Sequence, residues 1–168
     1  MKLKLTDIIG VPGASLRFDY NMDLSDLEIN FVKPFANPVH VTGEVRNIAG
    51  VLELSADAGT VMVFNCDRCA ERTEREECFE IDAVLVEELE NPEDIDNADM
   101  IVIENAEVDV DAVVRDAIIL ESDMQFLCSD DCKGLCPRCG KNLNEGPCSC
   151  EKETDPRLEA LRALLDRD

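Results

Sequence analysis

The chain has 168 residues, with 16 lysines and arginines against 38 aspartates and glutamates, for a formal net charge of −22. A surface this acidic repels phosphate backbones and favours cationic partners. No apolar run approaches the roughly 18 to 20 residues of a membrane helix, and Met1 to Leu5 alternates lysine with leucine where a signal peptide would be apolar, so a cytoplasmic protein with no membrane contact is expected.

Apolar residues make up 45% of the chain, enough for a real core, and with no Trp and one tyrosine, Tyr20, aliphatic side chains must fill it. The first ninety residues read as short strands. Leu3 and Leu5 alternate with lysine; Leu16, Phe18 and Tyr20 alternate with Arg17 and Asp19. Then come Val39, Val41 and Val45, the run Val51 to Leu54, and the run Val61 to Phe64. Thr42-Gly43, Ala49-Gly50 and Ala58-Gly59 are read as turns between them. Phe79, Ile81, Ala83 and Leu85 give a further half-buried strand of period two. The expectation is an antiparallel meander, or a partial barrel.

An acidic loop is expected over 90–108, broken by the apolar stretch Ile101 to Ile103. Val110, Val113, Val114, Ala117 and Ile118 recur at helical spacing after Asp109, a plausible cap, and this helix should pack on the sheet. A short terminal helix is expected from Asp155-Pro156, with Leu158, Leu161 and Leu165 as its stripe. The fold class is therefore α+β. It divides into an acidic domain over 1–125 and a cysteine-rich clip with its helix over 126–168. Charge is uneven along the chain: residues 67–125 hold four basic and twenty-one acidic groups, while 1–66 and 126–168 carry net charges of only −3 and −2.

Nine cysteines in a chain expected to be cytoplasmic argue for metal, because disulfides are disfavoured there and an odd number cannot all pair. Cys136-Pro-Arg-Cys139-Gly140 has the form of a zinc knuckle, in which two intervening residues let both sulfurs reach one tetrahedral ion. Pro137 pre-sets its turn, and Gly140 tolerates positive φ, so backbone amides can face the sulfurs. Cys148 and Cys150 close that centre as a ribbon-like clip. Cys66-Asp-Arg-Cys69 is a second knuckle at a turn between strands, with Ala70 in the glycine position. Its remaining ligands are expected to be Cys128 and Cys132, leaving Cys78 inert. Arg68, Lys133, Arg138 and Lys141 lie beside these ligands, to offset thiolate charge or to meet phosphate.

The competing chemistry is a zinc-dependent thiol redox sensor or oxidoreductase. A reactive Cys-x-x-Cys normally stands at a helix N-terminus in a βαβ unit, whereas Cys66 and Cys69 are expected to join two strands. A closed four-thiolate centre also leaves no position for water, which argues against zinc hydrolysis. His40, the only histidine, has no evident partner in the sequence. No phosphate-binding or dinucleotide glycine pattern occurs, so neither an enzymatic reaction nor a small-molecule substrate is expected.

The string from Cys128 through Cys132-Lys-Gly-Leu-Cys136-Pro-Arg-Cys139-Gly-Lys-Asn-Leu-Asn144 to Cys148-Ser-Cys150, followed by Asp155-Pro-Arg-Leu158, resembles the YceD family of large ribosomal RNA subunit accumulation proteins. The Cys66/Cys69 pair, the acidic strand after it and the Asp109–Leu120 helix match the same pattern; Cys78 is not part of it. The resemblance implies a bacterial or plastid setting and a non-catalytic role in making or accumulating the 23S RNA of the large subunit. Charge then suggests two modes of action. The acidic segment shields a basic ribosomal protein, or the C-terminal clip touches precursor RNA through Lys133, Arg138 and Lys141.

Overall fold

Period-two alternation of apolar side chains builds most of the protein. The computed structural model describes residues 1–88 and 100–150. Contacts divide the chain into two units: Met1–Asn65 with Arg72–Phe126, and Cys66–Glu71 with the residues from Leu127 onward. In the first unit the elements run β1 (Lys2–Lys4), α1 (Thr6–Ile9), β2 (Ser15–Met22), β3 (Val39–Ile48), β4 (Val51–Asn65), β5 (Arg72–Val86), β6 (Met100–Val102), β7 (Glu107–Asp109) and α2 (Val110–Glu121).

A five-stranded sheet of order β2-β3-β4-β5-β6 forms the body, and β1 pairs with β7 in a small second sheet. Pairing is antiparallel except between β5 and β6, which run parallel from Val84↔Met100 to Val86↔Val102. No barrel closes among the described residues: the sheet is open and mixed. The meander expectation holds for β2 to β5. The apolar stretch placed in a loop, at Ile101, instead supplies β6.

Two of the three turn signals are misread by sequence. Only Ala49-Gly50 is a turn, with φ of 53° and 100°, the positive values that suit a two-residue hairpin. Ala58-Gly59 lies inside β4, where Gly59 pairs with Cys78, so the two expected strands over 51–64 are one. Gly43 lies inside β3 for a packing reason. A Cβ there would stand 2.5 Å from the Ser55 carbonyl and 2.7 Å from the Phe18 ring.

One face of the sheet carries the core, through Phe18, Val41, Val45, Leu54, Phe79 and Ile81 among others. Helix α2 contributes Val110, Val114 and Ile118, all fully buried, each stabilising the fold by roughly 1.5–3 kcal/mol. Asp109 occupies the cap position in extended conformation, but its side chain makes no capping bond. The Tyr20 hydroxyl donates to Asp111 at 2.7 Å and ties β2 to the helix. The helix expected from Asp155-Pro156 and most of the acidic loop, residues 89–99, lie outside the described residues.

Asn47 is the buried polar residue of this core. Its Nδ2 donates to the carbonyls of Ile8 and Ile9 at 2.7 and 2.8 Å, and its Oδ1 accepts the Gly50 N–H at 2.9 Å. One amide thus satisfies the end of α1 and the β3–β4 turn together. Asn47→Ala removes the side-chain partner of the Ile9 carbonyl and the Gly50 N–H, while the Ile8 carbonyl keeps the Val11 N–H, and is expected to destabilise by roughly 1–3 kcal/mol. The check is urea unfolding, read as a lower midpoint at unchanged slope.

Candidate metal centres

Two turns with the same backbone pattern hold the leading sulfurs. In the first, the Cys66 N–H donates to the Glu71 carbonyl at 2.9 Å and the Ala70 N–H donates to the Cys66 carbonyl at 2.8 Å. In the second, the Cys136 N–H donates to Lys141 at 2.8 Å and the Gly140 N–H to Cys136 at 2.9 Å. The residue after each second cysteine has positive φ, 59° at Ala70 and 70° at Gly140. That left-handed residue turns the chain so that successive N–H groups face the leading sulfur.

The segment between the centres is docked by a glycine. Gly134 has φ of 71°, and a Cβ on it would sit 3.0 Å from the Arg68 carbonyl. This close approach lets Leu135 N–H donate to that carbonyl at 3.0 Å. Arg68 in turn donates from its guanidinium to the carbonyls of Cys132 and Asp130, at 3.2 and 3.4 Å. Its charge therefore serves the chain's own backbone. Lys141 Nζ donates to the Pro147 carbonyl at 3.0 Å, holding the loop between the two halves of the second centre. Lys133 and Arg138 lie exposed beside it.

Eight sulfurs gather into two quartets. Cys66, Cys69, Cys128 and Cys132 form one, and Cys136, Cys139, Cys148 and Cys150 the other; within each, all sulfurs lie within 4.8 Å of one another. Cys66 and Cys132 are 3.7 Å apart, Cys69 and Cys128 3.6 Å, and Cys136 and Cys148 3.4 Å. A disulfide needs about 2.05 Å. A tetrahedral ion with metal–sulfur bonds of about 2.3 Å needs sulfurs about 3.8 Å apart. The quartets fit the second arrangement. Cys66, Cys69 and Cys132 are buried, as is Cys136, whereas Cys139 is exposed.

Within each quartet the thiols are driven apart in acidity. Burial pushes the Cys66 thiol up, but the N–H groups of Cys128, Cys69 and Arg68 overcome it and hold the thiol at about 6. Cys136 also falls to about 6, through the N–H groups of Cys139 and Arg138 and then the Cys148 thiol. Cys132 is lowered by the Asn144 side-chain amide, which donates to its sulfur at 3.3 Å. Conversely Cys128 is pushed up to about 12 by Cys132 and by burial, and Cys150 to about 12 by Cys139 and by burial. Without a cation, four adjacent sulfurs cannot all ionise. A divalent ion removes that restriction.

Asn144 was not singled out as functional by sequence reasoning. Its Oδ1 also accepts the Lys133 N–H at 2.7 Å, and Asn142 braces it by accepting the Asn144 N–H at 3.0 Å. The only signal was the Asn-Leu-Asn run itself, since an amide beside a thiolate supplies a second-sphere donor. Cys78 stands apart on β5. Desolvation, Asp57 and Glu80 raise its thiol above the ordinary range. The first knuckle joins β4 to β5, and among the described residues no helix begins at it to activate it.

The family model described as "Large ribosomal RNA subunit accumulation protein YceD" matches residues 54–165, a span that contains both quartets. The chain belongs to the YceD family. Uncharacterized protein YlbN of Bacillus subtilis is 28% identical over 171 residues, covering 100% of this chain and 98% of the relative. The large ribosomal RNA subunit accumulation protein YCED homolog 1, chloroplastic, of Arabidopsis thaliana is 29% identical over 147 residues, covering 71% of this chain and 46% of its own length. Its Zea mays counterpart is 28% identical over 157 residues, covering 76% and 54%. The chain thus spans about half the length of the two chloroplastic proteins and nearly all of YlbN. No solved structure matches it. The family description names accumulation of an RNA, not a reaction. Among the described residues no helix is long and apolar enough to cross a membrane.

The two knuckles test each other. Ala70→Gly relieves a left-handed alanine and is expected to stabilise by roughly 0.5–1 kcal/mol, while Gly140→Ala, with open space for its Cβ, is expected to lose about 1 kcal/mol from φ alone. Opposite shifts of the urea midpoint in the two variants are the expected result.

Proposed function

We propose that the chain is a non-catalytic ribosome-biogenesis factor that supports accumulation of 23S ribosomal RNA, and that each cysteine quartet holds zinc as a structural ion. Membership in the YceD family and the printed names of the chloroplastic relatives support the role. The sulfur spacing and the all-thiolate donor set support a closed tetrahedral ion, for which zinc is the usual occupant. In this reading residues 1–125 are the acidic body and 126–168 the zinc clip, working in the cytoplasm or its plastid equivalent.

The observation that carries the mode of action is an excess of acid on the outward face of β4 and β5, offset only in part by Arg46 opposite Glu53 and by Arg72. Glu53, Asp57, Glu74, Glu76, Glu80 and Asp82 are exposed there, and Asp57 lies directly opposite Glu80. Like charges in that position destabilise a sheet. Such a face attracts a basic ribosomal protein and holds it until ribosomal RNA displaces the acid. The second reading, RNA contact by the clip, rests on Lys133, Arg138 and Lys141. It is less favoured because the Lys141 ammonium already serves the Pro147 carbonyl.

Two measurements test these statements. Native mass spectrometry is expected to give about two zinc ions per chain, falling by one in Cys66→Ser and in Cys136→Ser and unchanged in Cys78→Ser. Because Cys128 and Cys150 hold their protons to about 12 without metal, zinc loading near pH 7 must release protons, and zinc affinity falls as pH falls. Thiols that react before any chelator is added would point to the redox alternative. For the partner, purified basic large-subunit ribosomal proteins are expected to bind at low salt and release steeply as salt rises. Tight binding of 23S precursor RNA, with no protein bound, would favour the clip instead.

A further inference from the structure

A cavity of about 520 Å³ lies within the first unit, bounded by β5, β6 and α2. Four consecutive β5 residues, Glu80 to Ala83, line it. Neighbours along a strand point to opposite faces, so a groove touching all four runs along the strand's edge. That edge is open. β6 pairs only with Val84 to Val86, and among the described residues β5 has a partner on one side alone from Arg72 to Ala83. Unpaired N–H and C=O groups along an exposed edge are a template for an added strand.

The lining specifies what would be added. Ile81, Ala83, Ile101, Val113 and Ala117 give an apolar floor. Leu120, 85% exposed, stands at the rim. Glu80, Asp82, Asp116 and Glu121 also line the groove, and none forms an ion pair with any described residue. Among the described residues no lysine or arginine lines it. The one cation of α2, Arg115, is bonded to Asp26 at 3.0 Å. Apolar floor, acidic rim and open strand edge together select an extended segment that alternates apolar and cationic side chains. The chain's own residues 89–99 are the wrong chemistry, holding Glu90, Glu93, Asp94, Asp96 and Asp99 without a single cation.

We propose that this groove is a docking site for a lysine- or arginine-rich extended segment of a partner protein, which adds as a strand along the open edge of β5 beside α2. The proposal rests on the basic-partner reading above and locates it. The apolar side chains of the segment enter between β5 and α2, its cations meet the four rim carboxylates, and its backbone pairs with β5 ahead of the point where β6 begins.

The test uses the zinc-loaded full chain and a panel of purified basic large-subunit ribosomal proteins, with affinity measured at fixed low salt. Asp82→Lys/Asp116→Lys, both exposed positions, is expected to weaken binding at least about tenfold. Asp7→Lys/Glu28→Lys makes the same change in net charge away from the groove and is expected to change it less than about twofold. Leu120→Ser leaves charge unaltered and is expected to weaken binding about threefold or more, which attraction by charge alone would not produce. Amide exchange adds a backbone readout: β5 N–H groups facing away from β4 should gain protection when the partner binds. Equal weakening by the two double reversals, with no response to Leu120→Ser and no protection on β5, overturns the groove and leaves the basic-partner reading standing. Failure of the unaltered protein to bind any member of the panel overturns both. Circular dichroism and zinc content of each variant confirm that it is folded.

Discussion

Four sulfurs held within 4.8 Å of one another are a demand on the chain before they are a site. Two full negative charges near 4 Å repel by about 4 kcal/mol at an effective dielectric of 20, and a quartet contains six such pairs. Bare thiolates would push the segments of this unit apart. Protonation relieves the repulsion at the expense of ligand quality. The split acidities record that conflict: Cys66 and Cys136 sit at about 6 under backbone N–H groups, while Cys128 and Cys150 sit at about 12. A divalent cation is the one addition that lets all four ionise together.

The two quartets differ in what they connect. Cys66 and Cys132 are 66 residues apart, whereas Cys136 and Cys148 are 12 apart. A cross-link closing a loop of the first size removes about 4 kcal/mol of unfolded-state entropy in the chain-entropy model, and one of the second size about 3. In the proposed zinc-bound form the first quartet is a long-range clasp joining the β4–β5 tip to the segment after Phe126. The second is a local clip that shapes one loop. Gly134 lies between them and is required twice over, for its φ and for the Arg68 carbonyl 3.0 Å from its missing Cβ. This is the physical content of the Cys132-Lys-Gly-Leu-Cys136 string: one cysteine for each centre and a glycine where the backbones touch.

Local chemistry was legible in the sequence, and long-range approach was not. The knuckles could be read because two-residue spacing between thiols is a property of a few adjacent residues. The α2 stripe was legible for the same reason: Val110, Val114 and Ile118 are separated by single helical turns and are buried together. Glycine was misread wherever its cause lay on another strand. Gly43 answers to Phe18 and Ser55 across the sheet, so it looked like a turn. The parallel pairing of β6 was hidden because three residues, Met100–Val102, carry no period long enough to announce a strand. Asn47 and Asn144 went unnoticed because each bonds to groups far along the chain or on another turn.

Charge supports the proposed basic partner. The basic residues that the structure describes are largely engaged at home. Arg17 and Arg46 meet Glu44, Arg75 meets Asp123, and Arg115 meets Asp26, while Arg68 bonds carbonyls. On β5 Glu77 is paired with Arg75, and on β4 Glu53 faces Arg46, but Asp57, Glu80, Asp82, Asp116 and Glu121 form no ion pair with any described residue. A sheet that sets Asp57 opposite Glu80 gives up stability it could have kept with a lysine at either position. A protein selected only for solubility would gain from spreading that charge. Concentrating it on one hairpin and beside a strand edge creates a field with direction, which supports the proposed partner of opposite charge.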